Sequence, residues 1–158
     1  MRITHPIPPL YDGNSRILIL GSFPSAASRK AQFFYGHPQN RFWRVLAALY
    51  ETPVPEGTEE KRTFLLNRGI ALWDVIASCE IRGSADSSVR DALPNDLSPI
   101  LMRSRVERIF TNGRLSGNLY ARYQEKETGI KAVYLPSTSP ANAAFGMEKL
   151  IDAWKVIL

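Results

Sequence analysis

The chain reads as an α/β protein, a three-layer αβα sandwich around a central, mostly parallel sheet of four strands, in a single domain over residues 1–158. Three observations predict this. Strand-like and helix-like segments alternate along the chain, which implies parallel pairing through right-handed crossovers. The first strong apolar run, RILIL at residues 16–20, is that of a central strand buried on both faces. No repeat, low-complexity tract or shift in composition marks a linker, and 158 residues suffice for one sizeable core.

Taken in order, Arg16–Leu20 is the first strand. Asn40–Tyr50 follows as a helix, because Phe42, Val45, Leu46 and Leu49 recur at helical spacing. Thr58–Asn67 is a second helix with Thr58 as its expected N-cap, Glu59 and Glu60 at the positive end of its dipole, and Gly69 placed to end it. Ile70–Ile76 reads as the second strand, Leu97–Ser104 as a short helix, and Val106–Thr111 as the third strand. Gly113–Glu125 is a helix, Lys131–Leu135 the fourth strand, and Ala143–Leu158 a closing amphipathic helix. Ser78–Pro94 is the least regular stretch and is expected to be a surface loop with one helical turn.

Composition excludes several chemistries. The one cysteine, Cys79, cannot form an internal disulfide or, alone, a cysteine-ligated cluster or zinc site. Cys79 reads as a small buried or half-buried residue. The two histidines, His5 and His37, do not make a ligand set, so neither metal nor cofactor is expected. No secretion signal or membrane-length apolar run is present, and a cytoplasmic protein is expected. A net charge of +5 favours a polyanionic partner, a weak signal on its own.

Ligands of open parallel sheets gather outside the carboxyl ends of the strands. Three loops therefore matter: Gly21–Asn40, Ala77–Ser88 and Pro136–Asn142. In the first, Gly21, Ser22, Phe23, Pro24 and Ser25 offer backbone N–H groups to an anion or a base edge; taken alone, the five residues equally make a tight turn. They are neither a P-loop nor a dinucleotide fingerprint. The block that follows, Phe33 to Trp43, places Phe34 and Tyr35 to line a pocket and Phe42 and Trp43 in the core. His37 is a loop residue or an acid–base group, and Asn40 either N-caps the next helix or faces the crevice. The last loop, Ser137, Thr138, Ser139, Pro140, Ala141 and Asn142, suits phosphate, or else is an ordinary capping turn. Arg29, Lys30, Arg41 and Arg44 either meet phosphates or form a solvated basic face.

Together, in this order, the strand–GSFPS loop, the block FYGHPQNRFW, the segment LWDVIASC and the strand–LPSTSPANA loop resemble the uracil-DNA glycosylase superfamily over nearly the whole chain. The hypoxanthine-DNA (deoxyinosine) glycosylase branch is the most similar, and HPQNRFW is also similar to the matching stretch of mismatch-specific uracil/thymine glycosylases. The resemblance implies a DNA-repair enzyme that flips a deaminated base, hypoxanthine first, and hydrolyses its N-glycosidic bond. Its partner would be double-stranded or single-stranded DNA containing a damaged base, and the protein a monomer.

Many relatives carry Asn or Asp at the position of Phe23 to place the attacking water; here that role would pass to Asn40. Several relatives have His or Asn where Ser137 stands. Tyr35 matches the aromatic that stacks on the flipped base, the Ser22–Phe23 backbone would read the base edge, and the loop of Ser137–Asn142 would press into the DNA. No lysine is placed for Schiff-base chemistry, so the enzyme would be monofunctional. The alternatives are a uracil- or mismatch-type DNA glycosylase, a small-molecule nucleotide or nucleoside hydrolase of flavodoxin-like fold, or a nucleic-acid-binding module without catalysis.

Overall fold

Five consecutive buried residues, Ile17–Gly21, form β2, and the rest of the chain is arranged about this strand. The computed structural model describes residues 2–80 and 90–158. Two parallel neighbours flank β2: β3 (Ile70–Asp74) on one side and β6 (Arg108–Asn112) on the other, with β7 (Val133–Leu135) beyond β6. All three pairings in this four-stranded sheet, ordered β3-β2-β6-β7, are parallel, as the alternating pattern predicts.

Residues of β2 alternate between two cores. Ile17 and Ile19 join Phe42, Leu46, Phe110, Leu150 and Trp154 on one face, covered by α2 (Phe42–Leu49), α3 (Gly57–Leu66) and α7 (Met147–Trp154). Leu18 and Leu20 join Ile100, Ile109 and Tyr120 on the other, under α4 (Ser98–Arg103) and α5 (Arg114–Tyr123). A strand buried on both faces has no polar side to show, hence its unbroken apolar run. Burial of such side chains is the main stabilising term, roughly 1.5–3 kcal/mol for each large one.

Several features differ from the sequence expectations. The run 70–76 is not one strand: β3 stops at Asp74, and β4 (Ile76–Glu80) joins a second, antiparallel sheet of order β1-β4-β5 with β1 (Arg2–Thr4) and β5 (Arg90–Pro94). The expected loop over 78–94 is thus strand at both ends, and residues 81–89 between them lie outside the described residues, so the expected helical turn is not seen among the described ones. The buried amides of Asn95 and Gln124 brace this change of sheet. Asn95 Nδ2 donates to the Asp74 and Ile76 carbonyls at 2.9 and 3.2 Å, and Gln124 Nε2 to Val75 and Asn95 carbonyls at 3.2 and 2.7 Å.

Second, α1 (Ala26–Ala31) interrupts what reads as a continuous loop; Ser25 Oγ caps it by accepting the Ser28 N–H at 3.1 Å. Third, Thr58 caps nothing: it lies inside α3, whose N-cap position is Glu56. Glu59 and Glu60 do sit in the first turn of α3, and Gly69, at φ +70°, takes the left-handed conformation beyond its end. The helix expected over 113–125 divides into α5 and a short α6 (Glu125–Thr128).

Candidate active site

Gly21, Asp74 and Asn112 end three adjacent parallel strands, and they form the floor of a cavity of about 280 Å³. This lies just below the ~300–1,000 Å³ typical of small-molecule pockets, a size suited to one base rather than a whole nucleotide cofactor. Its walls come from the other loops: Ser22–Ser25 and Ser28, then Phe34, Tyr35, His37 and Asn40, then Ser137–Ala141. Gly21–Ser25, Phe34, Tyr35, His37, Asn40 and Ser137–Ala141, all singled out in the sequence, thus meet in one place; Asn142 is not part of the lining.

The floor depends on Gly21. A Cβ there would collide with the Asp74 carboxylate and lie 3.2 Å from Tyr35 Oη, so only glycine permits the approach of β3 to this end of β2. The chain beyond both strands stays paired, with Val75 N–H donating to the Gly21 carbonyl at 2.8 Å and Ile76 N–H to that of Ser22 at 3.0 Å.

The aromatic block is pinned from below. Buried Ser28 accepts the Gly36 N–H on Oγ at 2.9 Å, which ties the block to the cap of α1. Tyr35 has φ +52°, and its ring stacks on Phe42 with centroids 4.0 Å apart and planes 15° from parallel. One face of Tyr35 is therefore covered, and a base meets only the other face or an edge. Among the described residues, the buried Tyr35 hydroxyl has no partner in hydrogen-bond geometry. Burial first, and the Asp74 carboxylate second, push the phenol far above its ordinary value and keep it protonated. His37 Nδ1 accepts the Gln39 N–H at 3.1 Å.

Asn40 does both jobs that its position in the sequence allows. Its Oδ1 accepts the Phe42 N–H at 3.0 Å, at the start of α2, and the Thr138 hydroxyl at 2.8 Å. Both lone pairs of Oδ1 are thereby used, which fixes the amide orientation and leaves the Nδ2 hydrogens for the cavity. Thr138, fully buried, is held in turn: Asn112 Nδ2 donates to its Oγ1 at 3.0 Å, and Asn112 Oδ1 accepts its N–H at 3.0 Å. A chain of hydrogen bonds thus runs from the end of β6 to Asn40.

Arg41 faces the protein rather than solvent. Its backbone N–H donates to the Thr138 carbonyl at 3.0 Å, and its guanidinium donates to the carbonyls of Ser139 at 3.0 Å, Asn142 at 3.1 Å, and Phe145. Asn142 Nδ2 donates to the Ser137 carbonyl at 3.0 Å, so Asn142 shapes the last loop from behind. Pro140 and Ala141 stand exposed at its tip. Arg29 also turns inward, to the Pro24 carbonyl at 2.8 Å, whereas Lys30 and Arg44 are exposed.

Residues 8–157 match the family model described as the uracil DNA glycosylase superfamily. The chain belongs to this superfamily. A curated relative from Methanosarcina acetivorans, named hypoxanthine DNA glycosylase, is 36% identical over 95% of this chain and 94% of its own. A second of the same name, from Methanosarcina barkeri, is 33% identical over 85% of each. Among solved structures, a solution NMR structure of a provisionally assigned uracil DNA glycosylase from Methanosarcina acetivorans superposes with TM-score 0.81 at 31% identity, covering 99% of both chains.

Within this superfamily member, the sequence reading missed Asp74, Asn112 and Ser28 in the lining and His5 behind it. The signal for Asp74 and Asn112 was present: each is a polar residue at the carboxyl end of an apolar strand, where ligands of parallel sheets collect. For His5 no local signal exists. Among the described residues, no three His, Cys, Asp or Glu side chains gather where a metal ion could sit. No helix among them is long and apolar enough to cross a membrane.

Proposed function

We propose that the protein is a monofunctional DNA glycosylase that takes a deaminated base, hypoxanthine first, out of DNA into the 280 Å³ cavity and hydrolyses its N-glycosidic bond. The observation that supports this reading most is the placement of Asn40. It shares the cavity with Tyr35 and the Ser22–Phe23 backbone, held by Thr138 and the Phe42 N–H, with its Nδ2 hydrogens unspent.

Extruding a base costs a few kcal/mol of stacking and pairing. The exposed Pro140–Ala141 tip, held by Arg41, would press into the space the base leaves. The flipped base would lie on the free face of Tyr35, its edge against backbone groups of Ser22 and Phe23. As the glycosidic bond loosens, the sugar gains cationic character and needs little push from the nucleophile. An oriented water then suffices: Asn40 Nδ2 would donate to its oxygen while a lone pair forms the bond to C1′, the C1′–N bond breaks, and the proton the water sheds passes through solvent to the departing base. The Asp74 carboxylate in the floor and the DNA phosphates oppose the developing positive charge. Two curated relatives named hypoxanthine DNA glycosylase support hypoxanthine as the first substrate. The enzyme would act as a monomer in the cytoplasm, on duplex or single-stranded DNA.

The test is a panel of oligonucleotides, each with one hypoxanthine, uracil or xanthine opposite each base, assayed for alkali-labile sites under single turnover. Hypoxanthine should be released fastest. Tight binding of these DNAs with no base released would overturn the proposal.

A further inference from the structure

His5 and Asp74 form a buried pair, and the scheme above uses only the charge of Asp74 and gives His5 no part. His5 follows β1, and Asp74 ends β3, 69 residues further along the chain. Their side chains are 3% and 6% exposed, with Nε2 2.8 Å from Oδ2. His5 Nδ1 accepts the Ile7 N–H at 3.1 Å. That bond needs a lone pair on Nδ1, so the ring proton stands on Nε2 and is donated to Asp74. Phe23 and Trp73 pack edge-on against the imidazole, at 5.7 and 6.0 Å between centroids.

With Oδ2 occupied, Oδ1 remains. It stands where a Cβ on residue 21 would collide with it, so the missing side chain of Gly21 is what leaves room before it. Asp74 contributes to the cavity lining, and its backbone is fixed by pairing with Gly21 and by Asn95. The cavity therefore holds an acceptor that neither turns nor donates.

We propose that His5 is a positioning residue that locks Asp74 as a hydrogen-bond acceptor toward the bound base, so that the pair selects bases carrying the ring N–H that deamination creates. This rests on the glycosylase reading above. Adenine presents a lone pair at N1 and hypoxanthine an N–H; cytosine presents a lone pair at N3 and uracil an N–H. A fixed carboxylate oxygen attracts the second of each pair and repels the first. Once N9 is joined to the sugar, N1–H is the only N–H of hypoxanthine, so it alone can satisfy the carboxylate. Buried groups left unpaired by the wrong substrate make such selection strong. Guanine also carries N1–H, and its rejection falls to other parts of the site.

The experiment compares single-turnover excision of hypoxanthine, uracil and adenine from matched duplexes, with a thermal melt of each variant. In Asp74→Asn, His5 still donates, so the carboxamide must give it the oxygen and turn its N–H₂ toward the base. Hypoxanthine excision should fall about 100-fold or more, with a smaller margin over adenine. In the double variant His5→Phe/Asp74→Asn the carboxamide is free to turn its oxygen to the base, and hypoxanthine excision should recover about tenfold over Asp74→Asn alone. His5→Gln, whose terminal N–H₂ can still reach Asp74, should stay within about threefold of the parent, and His5→Phe should lose about tenfold.

Equal losses on all three bases, an unchanged hypoxanthine rate in Asp74→Asn, or a double variant no better than Asp74→Asn would overturn the role of the pair while leaving the glycosylase reading intact. A parent protein that releases no base would overturn both. Should Asp74→Asn fail to fold, His5→Gln and His5→Phe decide the matter: equal rates in these two refute the lock.

Discussion

The floor and the far wall of the cavity are built on different principles. The floor is sheet: Gly21, Asp74 and Asn112 end neighbouring parallel strands, and ladder bonds and buried amides hold the chain on either side. The wall, residues 137–145, lacks regular structure and is held by single side chains. Arg41 takes three of its carbonyls, Asn112 grips Thr138, and Trp154 Nε1 donates to the Pro136 carbonyl at 2.9 Å. In the proposed function, the group that reads the base stands on the hydrogen-bonded sheet, and the part that follows the contour of DNA is a loop whose shape one guanidinium can hold or release.

Substitutions on either side of this contrast sharpen it. On the floor, Gly21→Ala forces a methyl into the Asp74 carboxylate. We expect excision to fall more than 100-fold and stability by about 1–3 kcal/mol, as overpacked sites do, read by single-turnover assay and thermal melting. On the wall, Arg41→Met frees three carbonyls at once. It should cost about 2–3 kcal/mol, weaken DNA binding about tenfold, and leave the affinity for free hypoxanthine unchanged, because the floor is untouched. A large loss of free-base affinity would show that wall and floor are not separable.

Thr138→Val cuts the link between the two regions, leaving the Asn112 amide and Asn40 Oδ1 each short of a partner. A loss of about 1–2 kcal/mol and a five- to tenfold slower hydrolysis with little change in DNA affinity is expected from stopped time courses. Tyr35→Phe should have the smallest effect at neutral pH, since the hydroxyl has no partner in hydrogen-bond geometry among the described residues. Its consequence is alkaline. The folded phenol ionises well above its unfolded value near 10, so the unfolded chain loses a proton first and stability falls as pH rises past 10. This residue should contribute a slope of about 1.4 kcal/mol per pH unit there, and urea unfolding of Tyr35→Phe should show a shallower decline.

The same contrast explains what the sequence made readable. The inner parallel strands β2, β3 and β6 stand out because burial on both faces demands apolar runs such as ILIL; the edge strand β7 is apolar in sequence although Val133 and Tyr134 are exposed. The antiparallel sheet does not: β1 and β5 are largely exposed, so neither carries an apolar pattern. Ile70–Ile76 reads as one strand because its apolar character continues through Val75, although hydrogen bonding passes to the other sheet there. In the site, Gly21, Tyr35 and Asn40 were marked by local motifs. The work of Thr138 and Arg41 was not, because their partners lie 98 to 104 residues away. His5 is the extreme case, an unremarkable residue that matters only through the carboxylate it meets in three dimensions.

In the proposed function, a carboxamide steers the water in this cavity. Single-turnover excision of hypoxanthine by Asn40→Ala, beside its affinity for the same duplex, tests that claim most directly. A rate lower by about 10²–10³ with affinity within a few-fold of the parent is the predicted result. An unchanged rate would contradict it.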